Sequence, residues 1–220
     1  MSSDLNDLSL LLDSRVPILV IESWEEPRVL EMITRLAVNK TLPLYCWSVT
    51  EGLQRLGFGS DPGGKGENSE PADLLRHIKA TTQPGIYVLC DFHPWIQDDP
   101  LNIRLMREIA MHYSRLGHTL VLLSHRVNLP PEIRRYSARF EISMPTDEQL
   151  ENLVREEANN WSRARSGAPV RSGSEAFRKL IGSLKGVSLQ DARKLIRGAI
   201  WDDGAILESD LPELNRAKFE

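Results

Sequence analysis

Four runs of strand length carry apolar residues at almost every position: PILVIES (17–23), LPLYCWSV (42–49), GIYVLCDF (85–92) and TLVLLS (119–124). A fifth run, RFEISMP (139–145), is ended by proline. A strand with one wet face alternates apolar and polar residues, whereas a strand that is apolar throughout is covered on both sides. Between these runs the spacing becomes helical. Leucines recur at 5, 8, 11 and 12, and Val29, Ile33, Leu36 and Ala37 form a stripe within 27–40. ADLLRHIKATT (72–82) reads as a short helix and PPEIRRY (130–136) as a helical turn. The segment 98–117 is punctuated as a helix, with Asp98 or Asp99 as cap, Pro100 at its start and Gly117 at its close. Strands alternating with helices predict an α/β fold with a five-stranded parallel sheet covered on both faces.

The pattern changes after Pro145. Thr146 and Gln149 form a T-x-x-Q capping box that opens a helix. Two more helices follow at 174–186 and 188–200, with Gly186 as a C-cap, and no strand is expected here. The chain therefore divides into an α/β domain (1–145), a small C-terminal helical lid (146–206) and a polar stretch (207–220) that reads as a linker. The closing run, ESDLPELNRAKFE, carries no terminal element, which predicts a piece of a longer protein. The 220 residues, 41% hydrophobic and 26% charged, suit one large domain with an appendage. A net charge of −4 argues against a nucleic-acid binder, which would be basic. Cys46 and Cys90 sit in apolar runs and are expected to be buried, reduced thiols of a cytoplasmic protein. MSSDLNDLSLLLDSR lacks the basic start of a signal peptide, and VPILVI (16–21) is too short to span a bilayer, so no membrane partner is expected.

A five-stranded α/β domain with a small helical lid is the architecture of AAA+ ATPases of the P-loop NTPase type. That directs attention to the places where phosphate would bind. GSDPGGKG (59–66) spells G-x-x-x-x-G-K, with Gly66 where a Mg²⁺-binding hydroxyl belongs. A phosphate loop joins an apolar strand directly to a helix, so that backbone N–H groups wrap the phosphates. EGLQRLGF precedes this run and GENSEP follows it, so the expectation is a surface loop rather than a cradle. At the end of the first strand, where a cradle belongs, the chain reads ESWEEPRVL (22–30), with no glycine and no lysine. Ser23 and Glu26 spell a capping box, and Glu25 and Glu26 suit a first helical turn. Two carboxylates and the Trp24 indole then take the room of a triphosphate. Each like-charge pair costs about 4 kcal/mol at 4 Å at an intermediate dielectric.

Asp91 ends the third apolar run, at the place where an active enzyme of this architecture carries the aspartate that holds Mg²⁺ through water. The glutamate that would activate the attacking water is replaced by Phe92, with His93 beyond it. Ser124 ends the fourth run, where a polar sensor residue reads the γ-phosphate. Asp91, Ser124 and Lys65 are the candidates for a weak, non-standard ATP site; the alternative for Asp91 is bonding to neighbouring loop amides. No metal site is expected. Trp24, Trp47 and Trp95 follow strand ends and are expected to fill space as an apolar cap, with a docking surface as the alternative.

The runs VPILVIESWEEPRVLEMI, LPLYCWSVTEGL, GIYVLCDFHPWI, TLVLLSHRVNLPPEI and LKGVSLQDARKLI resemble the N-terminal half of a family of AAA-type ATPases. These are encoded in chloroplast genomes of some algae, in cyanobacteria and in other bacteria, and are known as conserved open reading frames. The resemblance covers nearly the whole chain; the GGKG insert is not part of it. It implies a degenerate, non-catalytic N-terminal ATPase-like domain, followed by a second domain that has intact Walker motifs and uses ATP and Mg²⁺. No cofactor is implied for this chain itself. Arg134, Arg135 and Arg139 fall in the region where AAA+ arginines reach a neighbouring subunit, so they are interface candidates; the alternative is a solvated basic turn. Arg193 lies near a sensor-arginine position and is expected to be a surface helix residue. The expected role is assembly, regulation or recruitment of a protein partner within a larger ATPase, with homo-oligomerisation. The alternatives are a weak ATP-binding domain and a stand-alone adaptor.

Overall fold

A computed structural model describes residues 3–57, 69–201, 204–207 and 216. It divides into two compact units, Met1–Ile142 and Ser143–Glu220.

The first unit begins with α1 (Ser3–Asp13), β1 (Ile18–Glu22), α2 (Glu26–Asn39), β2 (Leu44–Ser48) and β3 (Gly52–Leu56). It continues through α3 (Pro71–Ala80), β4 (Ile86–Cys90), a 3-10 turn (His93–Ile96) and α4 (Pro100–Met111). It closes with α5 (Tyr113–Leu116), β5 (Thr119–Ser124), α6 (Pro131–Arg134) and β6 (Ser137–Phe140). The sheet has six strands in the order β3-β2-β4-β5-β1-β6. Five are mutually parallel, as expected, and β3 is an added antiparallel strand paired to β2. The expectation of five strands is corrected to six. GLQRL is only partly apolar because an edge strand has a single neighbour and tolerates polar residues such as Gln54 and Arg55. Strand β6 also stops at Phe140, short of the run read from sequence, because its ladder ends at Ile21↔Phe140.

The period of two sorts β1, β4 and β5 onto two cores. Ile18, Val20, Tyr87, Leu89, Leu120 and Leu122 pack on one face with Leu74 and Ile78 of α3 and Met106 and Ile109 of α4. Leu19, Ile21, Val88, Cys90, Val121 and Leu123 pack on the other with Leu8 of α1 and Val29, Ile33 and Leu36 of α2. Helices on both faces are why these strands tolerate no polar alternation. Asp99 caps α4 by accepting from the Leu101 and Asn102 N–H groups, Pro100 follows it, and Gly117 closes the helical segment at φ 65°. Cys90 is buried and Cys46 half-buried; both are free thiols, with sulfurs 3.7 Å apart. The Cys46 sulfur and burial together push the Cys90 thiol up, which favours its neutral form.

The second unit comprises α7 (Asp147–Ala164), β7 (Arg171–Ser172), α8 (Ser174–Leu184), α9 (Leu189–Trp201) and β8 (Ala205–Ile206). The Thr146–Gln149 capping box is fully formed. The parallel pair β7–β8 corrects the expectation of an all-helical piece: two-residue strands are too short to leave a sequence pattern. The helices meet through Leu150, Val154, Leu180, Ile196 and Ile200. Glu157 is fully buried and answered by Arg197 at 2.8 Å. Gly204, at φ 68°, lies where a Cβ would stand 2.2 Å from the Trp161 ring, so only glycine fits. Among the described residues no helix is long and apolar enough to cross a membrane.

Candidate functional site

Open α/β sheets bind ligands outside the carboxyl ends of their parallel strands. Here that edge is built from Glu22 at the end of β1, Asp91 just beyond β4 and Ser124 at the end of β5.

Strand β1 and helix α2 are joined by three residues, Ser23, Trp24 and Glu25. The Ser23–Glu26 capping box is not formed. Pro27 sits in the first helical turn, where its fixed φ is favoured, so the helix starts at Glu26 and Glu25 takes the N-cap position. Ser23 lies outside the helix, and its Oγ accepts from the Glu25 N–H at 2.9 Å. Glu25 turns inward and is only 9% exposed. Arg28 Nη1 donates to it at 2.8 Å, and Arg28 Nη2 lies 3.5 Å from Asp4 of α1. The closure is therefore ionic and internal. Trp24 takes no part in it: the indole is 79% exposed and stacks on His125, with ring centroids 4.8 Å apart. A loop this short, with Pro27 removing an amide, does not fit a phosphate cradle.

The β1 end is tied down from the side as well. Glu22 Oε1 accepts from the Val127 N–H at 2.8 Å and from Arg139 Nη1 at 2.7 Å, and Arg139 Nη2 donates to the Val127 carbonyl at 2.7 Å. The Val127 amide, then the Arg139 guanidinium, hold the Glu22 carboxyl below its usual value.

At the β4 and β5 ends the polar groups converge. Ser124, 4% exposed, donates its hydroxyl proton to Asp91 Oδ1 at 2.7 Å. His93 Nδ1 lies 3.1 Å and His125 Nδ1 3.4 Å from the Ser124 Oγ. With the Ser124 proton committed to Asp91, a bond from either histidine requires Nδ1 to be the donor. The hydroxyl thus faces a carboxylate rather than an imidazole base, which is not the arrangement of an activated serine nucleophile. The two imidazoles meet edge to face at 5.3 Å. Asp91 holds a left-handed backbone conformation at φ 51°, which aspartate tolerates better than most residues. Among the described residues no group of three or more His, Cys, Asp and Glu is arranged to hold a metal ion.

Asp91 and Ser124 are thus brought together, while Lys65 and the whole GSDPGGKG run lie outside the described residues. Of the three arginines, Arg139 is engaged with Glu22 and Val127, and Arg134 donates to the Leu129 carbonyl at 3.0 Å. Arg135 is exposed, with its guanidinium 5.4 Å from the Tyr136 ring centroid. Trp47 and Trp95 cluster with Phe92 at 5.2–5.9 Å, forming the expected cap without Trp24. Arg193 pairs across helices with Glu156 at 3.0 Å, not along its own helix. Sequence reasoning stops at Ser124 in LLSHR and misses His125, whose available signal was adjacency to that strand end. It also misses the Glu22–Arg139 pair, whose members are 117 residues apart.

Residues 4–142 match the family described as SpoVK-like AAA ATPase, N-terminal domain, and residues 148–220 match its second domain. The uncharacterized AAA domain-containing protein ycf46 of Trieres chinensis is 22% identical over 210 residues, covering 94% of this chain and 40% of that protein. Its counterpart in Pyropia yezoensis is 26% identical over 211 residues, again covering 94% and 40%. The chain therefore spans about 40% of the length of these relatives. Among solved structures, a chain of the E. coli MS115-1 HORMA:CdnC:Trip13 complex superposes with a TM-score of 0.56 at 14% identity, covering 96% of this chain and 86% of that one. The FIGL-1 AAA domain in complex with ADP gives 0.53 at 16% identity, covering 92% and 71%. At such identities the likeness shows the AAA fold alone.

Proposed function

The chain belongs to the SpoVK-like AAA ATPase family, and from that premise we propose that it is a non-hydrolysing AAA-fold segment of a larger ATPase, serving assembly, regulation or recruitment of a protein partner. The observation that carries this reading is the β1–α2 turn. A triphosphate site needs several free, convergent amides and a cation at that turn. Here three residues make the connection, Ser23 takes one amide, and the cation that opens α2, Arg28, is engaged by Glu25. The phenylalanine and histidine after Asp91 remove the expected water-activating carboxylate.

In this reading ATP and Mg²⁺ serve a further domain outside these 220 residues, in keeping with relatives more than twice as long. The protein is cytoplasmic and self-associating, with Arg135 as the interface arginine least engaged by its own chain. Titration calorimetry of this chain with ATP and Mg²⁺ tests it. No saturable heat is expected. Micromolar binding that Asp91→Ala abolishes would instead establish the weak-binding reading, in which Asp91, Ser124 and Lys65 form the site. Phosphate density against Ser23–Glu26 in a nucleotide-soaked crystal would overturn the proposal outright.

A further inference from the structure

A concave feature lies on the helices of the first unit. A cleft of about 400 Å³ is lined by Asp98, Pro100, Ile103, Arg104, Arg107 and Glu132, among others. Residues 100, 103, 104 and 107 share one face of α4 by helical spacing, and Glu132 comes from α6, which packs against α4. The volume falls at the small end of ligand sites, roughly 300–1,000 Å³.

The charges in this cleft do not answer one another. Arg104 Nε donates to Glu108 at 2.7 Å, a carboxylate that Lys79 also reaches at 2.6 Å, so Arg104 is engaged within the chain. Arg107 is different: its Nε is buried with no hydrogen-bond partner, and among the described residues it makes no ion pair. Asp98 and Glu132 are exposed and, among the described residues, also lack an ionic partner within 4.0 Å, although they line the same cleft. One unmatched guanidinium and two unmatched carboxylates therefore stand around an apolar wall of Pro100 and Ile103.

A guanidinium fork is matched by a planar two-oxygen acceptor. Two carboxylates are matched by an ammonium. A simple anion would be repelled by Asp98 and Glu132, and a simple cation would leave Arg107 unanswered. We propose that this cleft binds a small zwitterion of the α-amino-acid class. Its carboxylate lies on Arg107, its ammonium toward Asp98 and Glu132, and its apolar side chain on Pro100 and Ile103. This site is separate from the Asp91–Ser124 edge and does not depend on the function proposed above.

An NMR titration of the whole 220-residue chain tests the idea with three probes of one shape: L-leucine, N-acetyl-L-leucine, which lacks the ammonium, and L-leucinamide, which lacks the carboxylate. L-leucine is expected to shift the Ile103 methyl and Arg107 amide signals saturably. Each single-charge analogue should bind at least about tenfold more weakly, the size of one lost charge-assisted hydrogen bond. Arg107→Gln and Glu132→Gln should each weaken L-leucine by about the same factor. Glu132 is exposed on a short helix, so Glu132→Gln should leave the melting temperature unchanged and separates binding from misfolding. No saturable shift with L-leucine, equal affinity for all three probes, or unchanged affinity in both variants would each overturn the proposal.

Discussion

Strands β1 and β5 run side by side and end in register, Glu22 opposite Ser124, yet the two ends are finished differently. Beyond β1, Glu22 is bonded to Val127 and Arg139, and Glu25 is folded inward onto Arg28. Every carboxylate in the turn that has been placed inward has an answering donor within the chain. Beyond β5, Ser124 and Asp91 bond to each other with two histidines alongside, and Asp91 and His125 remain exposed. The contrast teaches that the β1–α2 turn is held by matched charges and amides, not by bulk. The one bulky residue in the β1–α2 turn, Trp24, points out of it.

The largest effect should come from breaking the closed end. Arg28→Met leaves Glu25 and Asp4, both nearly buried, without their shared cation, and should cost about 3 kcal/mol in urea unfolding. Adding Glu25→Gln should recover much of that loss. A single-variant loss below about 0.5 kcal/mol, the range of a surface change, would mean that the closed end is no more self-contained than the open one.

Ser124→Ala removes one buried donor from the open end and should cost about 1 kcal/mol, less than Arg28→Met, because exposed Asp91 regains water. Equal losses would erase the contrast between the two ends.

A smaller effect depends on pH. The Glu22 carboxyl is held below its ordinary value of 4.5 in the folded protein. Its contribution is therefore fully present above that value and fades as pH falls through the lower folded value. The pair is well exposed, with side chains 49% and 39% accessible, so screening keeps the contribution small. Unfolding followed from pH 7 into acid should show a shallower acid loss in Arg139→Gln than in the parent chain, and parallel curves would count against the pair.

The smallest effect is reserved for Trp24→Ala. An exposed indole stacked on an exposed imidazole should change stability by no more than about 0.5 kcal/mol. A thermal melt displaced as far as that of Arg28→Met would restore the indole to the closure.

What the sequence discloses follows from how strongly burial constrains it. Strands β1, β4 and β5 are the most legible because burial on both faces leaves an unbroken apolar run along 18–21, 86–90 and 120–123. Strand β3 is hidden because its pairing is one-sided and half wet. Two capping boxes spelled alike part company for a local reason: Thr146 stands three residues before Gln149 with no competing start signal, whereas Pro27 moves the α2 start past Ser23. Asp91 and Ser124 are placed at the sheet edge by strand ends alone, but the bond between them depends on the β4–β5 register, which no local pattern records. The inward turn of Glu25 depends on Arg28 and Asp4 in the same way, since α1 must pack against α2 before Asp4 comes near.

The antiparallel edge strand also decides where the chain can take an insertion at least cost. Because β3 pairs only with β2 among the described strands, Leu56 ends at the rim of the sheet rather than between two packed strands. Lengthening a connection that starts at such a rim costs little in chain entropy, about 0.6 kcal/mol per doubling of its length.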